Sequence, residues 1–197
     1  MKKKLLISFS IVITLAIVIA LYTQIWKPLT LYPLEAECIV WDATYDAAQA
    51  QAEMVLSGEY DKTMFFIHSF KDKLPSDNPD DYMTIYCTIR AKNRSVFHIN
   101  SLKAVVFDLD NYEENVLFSD SSDSVISGPI WRHTTSDETF RLKVYVGDMD
   151  ETAVRELVKG LTAKVTYEGD FTGIREKLID FSECETVTVE FQGRSSE

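Results

Sequence analysis

YMTIYCTIRAKN, residues 82–93, alternates apolar and polar side chains along its whole length. Met83, Ile85, Cys87, Ile89 and Ala91 fall on one face, and Tyr82, Thr84, Tyr86, Thr88, Arg90 and Lys92 on the other. A period of two with one apolar face is the pattern of a half-buried strand. ETFRLKVYVGD (138–148) repeats it, with Phe140, Leu142, Val144 and Val146 set against Arg141, Lys143 and Tyr145. Runs at 35–45, 62–70, 99–110, 115–120, 161–169 and 185–191 read as further strands, and a short one is expected near 124–127. LPSDNPDD (74–81) is a turn by composition.

Two helices interrupt the strands. Residues 46–60 are rich in alanine and glutamine, with Asp46 near the start and Gly58 near the end. Residues 148–161 offer Asp148 or Asp150 as the cap, an apolar face of Val154, Leu157 and Val158, and Gly160 as the stop. FTGIREKLIDF (171–181) is ambiguous, because Ile174, Leu178 and Phe181 have helical spacing among strands. The sum predicts a mainly β, antiparallel sandwich with small inserted helices. The alternative is an α+β fold with the helices packed on a single sheet.

The opening has a different physics. Lys2, Lys3 and Lys4 precede Leu5–Tyr22, a run of 18 residues without charge. At ~1.5 Å per residue such a helix covers about 27 Å, close to the hydrocarbon thickness of a bilayer. Positive charge is retained in the cytoplasm, and Tyr22 and Trp26 stand where aromatic rings favour the headgroup level. The expected organisation is a basic tail (1–4), a signal-anchor transmembrane helix (5–26), a short linker with two prolines (27–34) and an extracytoplasmic β-rich domain (35–197). The expected location is a single-pass cell membrane with the C-terminal domain outside. The alternative is cleavage near Ala20 and secretion, since a small residue there follows an apolar core of signal-peptide length.

The chain carries a formal net charge of −11, or −14 once the three opening lysines are set aside. That balance opposes nucleic-acid binding, which needs clustered cations. Three cysteines are too few for a disulfide scaffold. Cys87 falls on an apolar face and reads as core, whereas Cys38 and Cys184 can be either a pair or free thiols.

YCTIRAKNRS (86–95), INSLKAVVFDLD (99–110), ETFRLKVYV (138–146) and LTAKVTYEG (161–169) together resemble bacterial envelope immunoglobulin-like domains of the F-x-L-Y-D type and its relatives. In that pattern a strand ends in Asn-x-Ser, and the next carries an apolar pair and then Asp. Asn93-Arg94-Ser95 and Val106-Phe107-Asp108 stand in those places, while Ala104 replaces the leading phenylalanine. The resemblance covers residues 82–168. It implies an immunoglobulin-like, extracytoplasmic scaffold or interaction module of the bacterial envelope, with no catalytic residues to carry over.

The search for chemistry yields little. Acidic stretches at 108–115, 76–81 and 119–124 could offer oxygens to calcium, but none has the glycine and frame of an EF-hand loop. His68, His98 and His133 are each alone, and no G-x-S-x-G turn presents a nucleophile. No catalytic, cofactor-binding or metal residue is assigned, and no cofactor is expected. Tyr82, Tyr86, Trp131 and Arg132 are the candidate partner-binding surface, since Tyr, Trp and Arg are enriched at interface hot spots. The expected partners are the membrane, through the N-terminal helix, and a protein or other envelope component. The expected function is a tethered binding or scaffold module; the alternatives are a structural subunit of a membrane-associated machine and an envelope hydrolase built on His133.

Overall fold

The computed structural model describes residues 2–40, 42–57, 74–106, 116–119, 129–170 and 173–191. The chain is mainly β. Helix α1 (Lys2–Leu21) runs into a π-helical turn at Tyr22–Trp26, and strand β1 (Leu29–Val40) follows at once. Helix α2 (Asp42–Ser57) precedes β2 (Tyr82–Asn93), β3 (Ile99–Val106), β4 (Val116–Ser119) and β5 (Thr135–Tyr145). Helix α3 (Glu151–Lys159) leads to β6 (Thr162–Gly169), β7 (Gly173–Asp180) and β8 (Thr186–Glu190). The strands expected at 62–70 and near 124–127 lie outside the described residues.

The described strands form two sheets. One has the order β4-β5-β2-β1-β8 and the other β3-β6-β7. One hydrophobic core joins them, with Met83, Ile85, Cys87, Phe140 and Leu142 from the first sheet and Leu102, Ala104, Ala163 and Val165 from the second. Phe140 meets Phe181 edge to face at 5.9 Å, a favoured aromatic geometry that bridges the layers.

Two expectations need correction, and one ambiguity resolves. Residues 29–33 are not a linker but the first half of β1, paired with β2 from Leu29↔Asn93 onward. Leu29 and Leu31 are buried, so the alternation begins there. The prolines do not prevent it. Pro28 lies ahead of the strand and Pro33 sits at a register shift, where a missing N–H is tolerated. Within the ambiguous 171–181 segment, Gly173–Asp180 is strand β7, paired residue for residue with β6 from Thr162↔Asp180 to Gly169↔Gly173. Finally, the sheets are not wholly antiparallel, because β8 lies parallel to β1. A 3-10 turn at Phe181–Glu183, capped by the Asp180 carboxylate, carries the chain from β7 to the other sheet.

Helix α3 follows the physics expected of it. Asp150 caps it by accepting from the Ala153 N–H at 2.8 Å, Val154 and Val158 are buried, and Gly160 closes it. Arg155 holds the helix to β8, binding the Glu151 carboxylate and the Val187 carbonyl.

Candidate functional site

The four residues proposed as a partner surface do not form one patch. Tyr82 points to the outer face of its sheet, as the alternation requires, but it is fully buried. Helix α2 lies over this end of β2. The Tyr82 ring packs against Tyr45 of α2 at 5.3 Å and Tyr145 of β5 at 5.7 Å. Its hydroxyl donates to the Ser76 carbonyl at 2.5 Å and accepts from the Ser76 N–H at 3.1 Å. The neighbouring Thr84 hydroxyl meets Thr44 of α2 at 2.7 Å. Tyr82 is therefore removed from the exposed surface, because burying aromatic area beneath a helix outweighs leaving it in water.

Tyr86, opposite Arg141, is half-buried beyond the reach of that cover. Further along the same face the Thr88 and Thr139 hydroxyls meet at 2.9 Å, and Arg90 clasps Asp137 with two bonds at 2.5 and 2.6 Å. The Arg90 guanidinium holds the Asp137 carboxyl below its usual range. Trp131, 64 % exposed, and exposed Arg132 lie past the end of this ladder, before Thr135 pairs with Lys92. Six residues of strand separate Tyr86 from Lys92, roughly 20 Å. Tyr86 and Trp131 thus belong to different regions.

Trp131 belongs to the end of the domain from which α1 leaves. The junction there is tightly bonded. Gln24, in the turn after α1, accepts from the Val96 N–H at 2.6 Å, and its backbone carbonyl accepts from the Ser95 hydroxyl at 3.0 Å. The Arg94 N–H donates to the Pro28 carbonyl at 2.7 Å. Asn93 and Ser95, both buried, shape the β2–β3 loop that makes these contacts. The Asn93 amide donates to the Phe97 and Ile130 carbonyls, and its oxygen accepts from the Ser95 N–H. The Asn-x-Ser triplet thus fixes this loop against the exit of the helix. Sequence reasoning noticed the triplet but not its partner, because Gln24 is 71 residues away from Ser95.

On the same end, His98 faces Trp131 at 6.0 Å between ring centroids and lies 3.4 Å from the Asp170 carboxylate. His133 occupies a left-handed position (φ 56°) in the turn before β5. Thr134 closes that turn by donating its hydroxyl to the Trp131 carbonyl at 2.7 Å.

The remaining candidates can be placed briefly. His68, the acidic stretch at 108–115 and residues 120–124 lie outside the described residues. In the 76–81 stretch the Asn78 side chain accepts from the Asp80 N–H and donates to Asp81, which caps a 3-10 turn. Among the described residues no group of three His, Cys, Asp or Glu side chains is placed to hold a metal. Cys38, Cys87 and Cys184 are free thiols. Burial pushes the Cys38 thiol up to about 12, against the pull of the Arg155 charge, and it raises Cys87 and Cys184 as well. Protonated thiols are poor nucleophiles. At the far end an open depression of about 610 Å³ lies along Gly147, Met149 and Ala153.

No family model matches the chain, and no curated protein matches it. Among solved structures, a candidate lipoprotein (ycdA) from Bacillus subtilis subsp. subtilis str. 168 is similar over 60% of this chain, at 16% identity and a TM-score of 0.23. The match spans 34% of that protein's chain. So loose a superposition carries no argument about fold or function.

Proposed function

We propose that the chain is a membrane-tethered, extracytoplasmic sandwich of immunoglobulin type, acting as a binding or scaffold module of a bacterial envelope. The observation that carries the tether is the surface of α1. From Ile7 to Leu21 its large apolar side chains are exposed all round, for example Phe9 at 66 % and Val18 at 55 %. Leaving ten such side chains half-wet costs on the order of 10 kcal/mol, comparable to the stability of a whole domain. An apolar medium removes that cost. Thr14 returns its hydroxyl to the Ser10 carbonyl at 3.0 Å, so it enters such a medium satisfied. Side chains of α1 are described from Ile7, and among the described residues no helix is long and apolar enough to cross a membrane. The reading draws on the full run from Leu5 to Tyr22.

The immunoglobulin reading is supported by strand order. The arrangement β4-β5-β2-β1 against β3-β6-β7 corresponds to D-E-B-A against C-F-G of the constant-type sandwich, with β8 added beside β1. The inter-sheet disulfide of antibody domains has no counterpart, since β2 carries Cys87 but β6 carries no cysteine. The envelope role follows the resemblance to the F-x-L-Y-D type.

The test is the mature mass and topology of the full chain bearing a C-terminal tag. The expected result is uncleaved protein in the membrane fraction, digested by protease added outside. Crosslinking at the membrane surface then captures the partner. Protein in the medium, shortened by a cut near Ala20, would overturn the tether.

A further inference from the structure

Among the described residues outside α1 and its terminal turn, four large hydrophobic side chains are exposed: Val96, Trp131, Ile174 and Leu178. Three of them gather at one end. Val96 is in the β2–β3 loop, Trp131 in the turn before β5, and Ile174 at the start of β7. These segments are neighbours by register. Ile99 pairs with both Ile130 and Gly169, and Gly169 pairs with Gly173. This is also the end where Gln24 holds the β2–β3 loop to the foot of α1.

The charge at this end differs from that of the chain as a whole. The segments RSVFH (94–98) and WRHT (131–134) contain no carboxylate, and Lys27 follows the helix. Lys27 lies over the Tyr22 ring at 5.6 Å. In the third segment Asp170, just past β6, is held by His98 and Asn100, and exposed Glu168 precedes it. Exposed Trp and aliphatic side chains flanked by Arg and Lys are what a bilayer interface accepts.

We propose that this end of the domain rests on the bilayer that holds α1, with Val96, Trp131 and Ile174 at headgroup depth and Lys27, Arg94 and Arg132 beside the lipid phosphates. The inference builds on the tether proposed above. The occupant is a phospholipid surface because the loops are bonded to the helix exit and cannot move far from it. The Gln24 contacts turn a flexible stalk into a fixed mount, so the domain has one orientation on the membrane. The opposite end, with Gly147–Asp150, then points away from the membrane.

The experiment uses the full chain in vesicles of phosphatidylcholine and phosphatidylglycerol. Trp26→Phe and Trp41→Phe together leave Trp131 as the sole tryptophan, excited selectively over the tyrosines. Flotation of the vesicles tests the tether. Quenching by lipids brominated near the headgroup, and by aqueous iodide, then tests the seating. The expected result is co-flotation, at least twofold stronger quenching by brominated than by plain lipid, and weak quenching by iodide. Co-flotation with free access of iodide and no bromolipid quenching would overturn the seating and keep the tether. Protection from both quenchers would mean a second copy of the chain covers this end and would overturn it equally. Failure to float would sink both readings. Should the double variant misfold, Ile174→Trp in a Trp131→Phe background moves the reporter to a second point of the same surface, whose signal is read as the difference from the Trp131→Phe chain.

Discussion

The two faces of β2 are built from one alternating sequence and meet different fates. On the inner face Met83, Ile85, Cys87, Ile89 and Ala91 are all completely buried. On the outer face burial changes along the strand, from Tyr82 beneath α2, through half-buried Tyr86 and the small, buried Thr88, to Lys92 in solvent. A strand's own sequence fixes which side chains share a face. What covers a face is decided by elements elsewhere in the chain, here α2 and Leu74. The outer face is therefore half core and half surface.

The strongest way to break this comparison is to truncate the two tyrosines separately. Tyr82→Ala should cost about 3–5 kcal/mol, the range for emptying a buried aromatic site. Tyr86→Ala should cost less than about 1 kcal/mol, since the side chain is only half-buried. Urea melts of the two variants measure the gap, and equal losses would contradict the cover assigned to α2. Tyr82→Phe isolates the hydroxyl and should cost about 1 kcal/mol, the net value of a hydrogen bond such as that to Ser76.

A third test uses pH. Glu138 sits on the core side of β5 and is buried, bonded to the Ser136 hydroxyl at 2.6 Å. Desolvation raises its pKa above the ordinary 4.5, with the Ser136 bond acting against it. The folded protein thus holds this proton more tightly than the unfolded chain. The stability it contributes is complete below the ordinary value and is lost as pH rises through the folded one. Glu138→Gln should therefore gain on the wild type as pH is raised from about 4 to neutrality. A constant difference between the two across that interval would refute the buried charge.

The smallest effect is expected on the exposed stretch of the outer face. Asp137 is lowered by its bond to Arg90, so its contribution is present above the ordinary 3.8 and fades as pH falls below it. Both groups are exposed enough for solvent to screen the pair, so Asp137→Asn should scarcely move the neutral-pH melt.

These contrasts explain what the sequence made legible. The bounds of β2 were readable to the residue because its inner face is unbroken core. Helix α3 was readable because Asp150 and Gly160 mark its ends chemically. Strand β7 was not, because its helical spacing of Ile174 and Leu178 belongs to the exposed face, while the core takes Ile179 and Phe181. The start of β1 was hidden by its prolines, whose effect depends on a register shift that only pairing reveals. In the candidate surface, Trp131 and Arg132 are exposed, whereas the covering of Tyr82 depends on Tyr45 and Tyr145, far from it in the chain. The bond between Gln24 and the β2–β3 loop was likewise invisible, since it joins segments that share no local pattern.

The parallel placement of β8 beside β1 bears on how the domain carries load. A pull between the foot of α1 and the chain beyond Glu190 draws β1 backward and β8 forward along a common axis. The backbone bonds spanning Glu35↔Thr186 to Ile39↔Glu190 are then sheared together instead of being opened one at a time. A fold fastened at its first and last strands in this way resists tension as a unit, as a rivet does, until the whole seam gives.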